Sequence, residues 1–184
     1  MRYLLTLLVI LGSSTLHART VGGVDLPDKQ QVEAQSLVLN GAGIRSKYFM
    51  DVYVAGLYLT APNEDAEAIL QADAPQSVRL VITSSHITHE RLLDSIEEGV
   101  RQSAGKDFPL YQAMLQQMLD SLAIEIKVGD RFDFTYRPNI GTQVFRNGTL
   151  MSVIKSLEFK QVLYGIWLGD DPVQSSLKRA MLSQ

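Results

Sequence analysis

The sequence predicts an α+β fold in which helices cover one face of a large, mostly antiparallel sheet. Three observations predict it. Period-two apolar runs occur early and again late in the chain. Helical stripes stand between and after them in blocks, giving the order β, β, α, β, α, α, β, β, β instead of a βα alternation. Asn147-Gly148, the strongest short hairpin signal present, joins two late strands directly.

Taken in order, Arg19 to Val32 carries Gly22, Gly23 and Pro27 and reads as an irregular arm or short edge strand. Gln35 to Asn40 reads as a strand leading into a Gly-x-Gly bend at Gly41-Ala42-Gly43, where glycine allows positive φ or a close approach. Tyr48 to Leu59 is a long strand. Strict alternation places Phe49, Asp51, Tyr53, Ala55 and Leu57 on one face, with Tyr48, Met50, Val52, Val54, Gly56 and Tyr58 on the other. Ala61-Pro62-Asn63 then caps a short helix over Glu64–Ala72, and Ser77–Thr83 is an apolar strand. Thr88 caps a helix whose face is Leu92, Leu93, Ile96, Val100 and Ala104, with Gly105 at its exit. Phe108-Pro109 opens another, bearing Tyr111, Met114, Leu115, Met118, Leu119 and Leu122. Phe132, Phe134 and Tyr136 restore period two, and Pro138 to Gly141 reverses the chain. A helix follows through Phe159, Val162, Leu163, Ile166 and Trp167, and Asp171-Pro172 starts a last one.

Composition bounds the function. With 184 residues, 46% hydrophobic and 20% charged, the chain supports about one domain with a sizeable core. Met1-Arg2, the apolar run Tyr3–Gly12 and the small exit ending at Ala18 read as a cleaved secretory signal over residues 1–18, leaving one domain over 19–184. The run is too short to span a bilayer, so no integral membrane segment is expected after cleavage. The absence of cysteine excludes lipoprotein anchoring, disulfides and thiol catalysis, and a bacterial periplasmic location is the simplest fit. The net charge is −3, and loss of Arg2 makes the chain more acidic still, which argues against nucleic acid as a partner.

Few residues carry chemistry. There is no Walker loop, HExxH or G-x-S-x-G elbow, and Gly41-Ala42-Gly43 lacks a dinucleotide fingerprint's third glycine. His86, His89 and Glu90 are too few for a metal site, so no metal or cofactor is expected. Asp170-Asp171 reads as helix capping, and Met114 and Met118 as adaptable packing. Arg45, entering the long strand, can aim its guanidinium at a carboxylate or phenolate, whereas the plain alternative is an edge arginine reaching to water.

The Gly-Ala-Gly-Ile-Arg stretch, the Val52–Leu59 strand, Trp167-Leu168-Gly169 and the run Pro172-Val173 to Ser176-Leu177-Lys178 together resemble the chalcone isomerase-like family, most of all its secreted bacterial branch. The resemblance implies an open-faced β-sandwich, a large antiparallel sheet with helices layered on one side. It implies that Arg45 matches the arginine that holds a substrate phenolate in the plant isomerases, and that Tyr53 matches a ligand-contacting hydroxyl residue. In the fatty-acid-binding branch, an arginine and a tyrosine of this region bind a carboxylate. The isomerases' tyrosine and asparagine on the following helix fall here near Arg91 and Glu98, and their Ser/Thr–Met pair is absent around Gly165-Ile166.

The expectation is therefore a non-catalytic binder of a small amphipathic carboxylate or phenolic ligand, with Arg45, Tyr53 and Tyr58 as ligand contacts. One rival is an intramolecular lyase acting on a phenolic enone, with Arg45 as its catalytic residue. The other is a ligand-free scaffold with Arg45 tied to an internal carboxylate such as Asp51.

Overall fold

The computed structural model describes residues 18–182. The expected export segment lies outside the described residues except for Ala18, which opens the first strand. The strands are β1 (Ala18–Val21), β2 (Val24–Pro27), β3 (Lys29–Val32), β4 (Gln35–Lys47), β5 (Met50–Leu59), β6 (Gln76–Ile82), β7 (Arg131–Arg137), β8 (Gly141–Arg146) and β9 (Thr149–Ile154). The helices are α1 (Ala66–Gln71), α2 (His89–Ala104), α3 (Phe108–Leu122), α4 (Leu157–Leu168) and α5 (Ser175–Leu182). Strands β3 to β9 form one curled seven-stranded antiparallel sheet in sequence order, and β1 and β2 form a separate hairpin. The α+β reading stands, with the early arm resolved into three short strands.

The helical layer is organised by α4. Its buried side chains lie on every side, because it is covered by the sheet below and by α1 and α2 around it. Polar groups carried into such a place must be satisfied. The Tyr164 hydroxyl lies 3.0 Å from the Gln76 carbonyl and 2.7 Å from that of Phe134. The Lys160 ammonium, fully buried, donates to the carbonyls of Leu70 at 2.6 Å and Ala72 at 2.9 Å, so it caps the C-terminal end of α1. The other face of β4 and β5 is covered by the β1–β2 hairpin through the buried Leu26, which lies with Leu39 against Gly56.

Four expectations are corrected. The Gly-x-Gly segment is not a bend: β4 runs through it, and the reversal falls at Tyr48-Phe49. Glycine is needed for close approach instead, since a Cβ at Gly43 would lie 2.7 Å from the Ala180 Cβ of α5. Alternation in β5 is broken, because Arg45 pairs with Tyr53 while Ser46 pairs with Asp51, leaving Val52 as an extra bulge residue. Val52 and Tyr53 consequently both join the helix-side core. Asp65 caps α1 instead of Asn63, whose backbone is held by the Asn40 side chain. Finally, Asp171-Pro172 starts no helix: residues 169–174 fold back on α4, the Val173 amide donating to the Ile166 carbonyl at 2.8 Å, and α5 begins at Ser175.

Two outcomes follow. Gly43→Ala should destabilise the fold by about 1–3 kcal/mol, through overpacking against α5, as read by denaturant unfolding. Burial pulls the Lys160 pKa down from 10.5 to about 8 against a smaller opposing pull from Asp73. Between those values the unfolded chain binds the extra proton, so this group makes stability rise with pH across that window. Lys160→Met should flatten the rise between pH 8 and pH 10 and lower stability at pH 7, measured by urea titrations at each pH.

Candidate functional site

Arg45 and Tyr53 sit directly opposite each other in the β4–β5 ladder, so their side chains are neighbours on the helix-side face. The short β3 pairs only with the first residues of β4, which leaves the Ile44–Ser46 edge without a strand partner. Gln174 fills that gap. Its carboxamide oxygen accepts from the Ser46 amide at 3.0 Å, and its nitrogen donates to the Ile44 carbonyl at 3.3 Å. The same oxygen accepts from Arg45 Nη1 at 3.1 Å, and Nη1 also donates to the Ser46 carbonyl.

The half-buried guanidinium is thus held through Nη1 by two neutral acceptors, and it also stands within hydrogen-bonding reach of the Tyr53 hydroxyl. Nor does Arg45 form an ion pair among them. Asp51, the carboxylate expected for a closed scaffold, accepts instead from the Ser46 hydroxyl at 2.8 Å.

Tyr53 is buried, and its hydroxyl oxygen accepts from Trp167 Nε1 at 3.0 Å. Burial raises its pKa, and the opposing effects of Trp167 and Arg45 do not cancel that rise. The phenol is therefore neutral, with its oxygen engaged and its proton free to donate. Around these groups lies a void of about 50 Å³, walled by Val52, Leu92, Ile96, Ile166 and Val173 among others. It adjoins a larger cleft of about 470 Å³ between the β4–β5 hairpin and α2, and the two share Lys47, Val52, Ile87 and Ser95 in their walls. Arg91, Asp94 and Glu98 stand along the α2 side of the larger cleft. Arg91 and Glu98, near which the resemblance puts the isomerases' tyrosine and asparagine, therefore face this cleft as charged side chains.

Tyr58 is not brought to this place. It lies on the opposite face of β5, its hydroxyl donating to the Pro27 carbonyl at 3.0 Å and its ring 5.3 Å from the Arg79 guanidinium. The two tyrosines are an odd number of residues apart in one strand, so alternation sends them to opposite faces. His89 Nε2 lies 3.1 Å from Glu90 Oε1, and His86 packs beside Ser84 at the cleft. Among the described residues no group of three or more His, Asp or Glu is placed to hold a metal ion. Two residues that hold Arg45 and Tyr53 in place escaped the sequence reading, Gln174 and Trp167, although both lie in the C-terminal motifs quoted for the resemblance.

A family model described as chalcone isomerase-like matches residues 18–183. Among solved structures, the crystal structure of an Arabidopsis thaliana fatty-acid binding protein is similar with a TM-score of 0.72 at 16% identity, covering 87% of this chain and 92% of that one. Among curated proteins, the Danio rerio U4/U6 small nuclear ribonucleoprotein Prp31 is 26% identical over 160 residues. That match covers 83% of this chain but 31% of that protein, so the chain spans under a third of it. The family match runs through the whole sheet and helical layer, and it includes Arg45, Tyr53, Trp167 and Gln174: the chain belongs to the chalcone isomerase-like family.

Proposed function

We propose that this chain binds a small amphipathic anion, such as a fatty acid, and does not turn it over. The anionic head would pair with the Arg45 guanidinium and take the hydroxyl proton of Tyr53, and the apolar part would run along the cleft beneath α2. The observation that carries this reading is a guanidinium with no carboxylate partner beside a neutral phenol whose proton is free, at the inner end of a largely apolar cleft. An uncompensated arginine, half removed from water, favours an anion at that point. The fatty-acid binding protein of the same fold supports the ligand class. The charged Arg91 and Glu98 support binding over turnover, since neither offers the neutral hydroxyl or amide that would position an enone for addition. The reading also places the protein in the secreted bacterial branch, exported to the periplasm by cleavage after Ala18.

Native mass spectrometry of protein isolated from its own compartment, with extraction of bound molecules, tests ligand and location together. Arg45→Ala should lose a co-purifying acid, weaken fatty-acid affinity roughly tenfold to a hundredfold, and leave the unfolding midpoint nearly unchanged. Collapse of the fold in that variant would make Arg45 structural, and turnover of a phenolic enone abolished by Arg45→Lys would identify an isomerase instead. Trp167→Phe removes the buried donor to Tyr53. It should cost about 1–3 kcal/mol of stability and weaken ligand binding as well, although Trp167 offers the ligand no polar atom of its own.

A further inference from the structure

At one end of the sheet the β4–β5 hairpin turns through Tyr48 and Phe49, at φ of 50° and 65°. Two-residue turns with both central residues at positive φ favour Asn-Gly, because a bulky side chain is strained there. The chain follows that preference in its β8–β9 hairpin, where Asn147 and Gly148 take φ of 51° and 87°. At β4–β5 it places two aromatic residues in the same geometry. Packing does not compensate: Tyr48 is 80% exposed, Phe49 is fully exposed, and Met50 follows them into solvent. Strain retained without structural gain points to function.

The tip has a composition of its own. Lys47 precedes the aromatic pair with its ammonium 5.7 Å from the Tyr48 ring centroid. Lys47, Tyr48 and Met50 also line the larger cleft, so the tip is the lip of the candidate ligand site. Strand pairing puts the loop before β7 and the start of β9 at the same end, and these carry the exposed Val128 and Leu150.

We propose that this hairpin tip docks the protein onto the interfacial layer of a phospholipid bilayer. Tyr48 and Phe49 reach the boundary between headgroups and acyl chains, and Lys47 meets lipid phosphates. The cleft mouth then faces the phase from which an amphipathic ligand comes. Size favours this occupant over a protein. A stable protein interface buries about 800 Å² on each side, and two aromatic side chains at about 150–250 Å² each fall well short of that. Continuity favours it too, because the same residues form the tip and the cleft wall. Ligand delivery rests on the binding function proposed above, whereas docking itself does not.

The test uses vesicles of phosphatidylethanolamine and phosphatidylglycerol with the purified chain and a Tyr48→Asn, Phe49→Gly double variant prepared identically. Co-sedimentation should fall roughly tenfold or more in the variant, while its melting temperature stays equal or rises because the turn is relieved. In a second readout, Phe49→Trp should be quenched by lipids brominated in the acyl chains. Leu110→Trp, exposed in the first turn of α3 beyond the end of α2, should not. Uptake of a fluorescent polyene fatty acid without vesicles separates the two proposals. If the native chain binds no fatty acid yet docks through the tip, the ligand reading fails and the docking stands. Equal co-sedimentation of both proteins, or a concentration-dependent dimer lost in the double variant without vesicle binding, would overturn the docking.

Discussion

The constraint on which the rest depends is that α4 is buried almost all round beyond its first turn and yet carries Trp167, Tyr164 and Lys160. Each polar atom there must find a partner inside the protein, and each partner then fixes a neighbouring element. Lys160 holds the end of α1, and Tyr164 ties the helix to β6 and β7. Trp167 can only donate, and the acceptor it finds is the Tyr53 oxygen. That bond leaves the Tyr53 proton available beside Arg45. The chemistry offered at the cleft is thus a by-product of satisfying the core.

Much of the fold was legible, because helix stripes and caps act locally. Thr88 caps α2 by accepting from the Arg91 amide, Gly105 ends it, and Asn147-Gly148 turns the β8–β9 hairpin. The failures share a physical origin in long-range contacts. The Val52 bulge moves one residue across the sheet, and nothing in Met50-Asp51-Val52-Tyr53 marks where alternation breaks. Gly43 reads as a turn residue until α5 is known to lie against it. Asp171-Pro172 has a good helix-start pattern, overridden by the bond that folds Val173 back onto Ile166.

The site was half legible. Arg45 and Tyr53 came from one local stretch and lie opposite each other in the ladder. Tyr58 followed from the same stretch but belongs to the other face. Gln174 could not be read, because its role exists only where a short β3 leaves β4 with unpaired backbone groups. A glutamine completing a sheet edge looks like any polar loop residue until that edge is drawn.

Gln174 lies 129 residues from Arg45 along the chain, and Trp167 lies 114 from Tyr53. The sheet is a meander whose neighbouring strands are also neighbours in sequence, so most of its pairings can close over short stretches of chain, although α2 and α3 intervene between β6 and β7. The site cannot. Its guanidinium is oriented and its phenol polarised only where α4 and the segment behind it lie docked over the sheet. An anion bound as proposed would therefore engage only the fully assembled chain and would favour it over every partly assembled form by mass action.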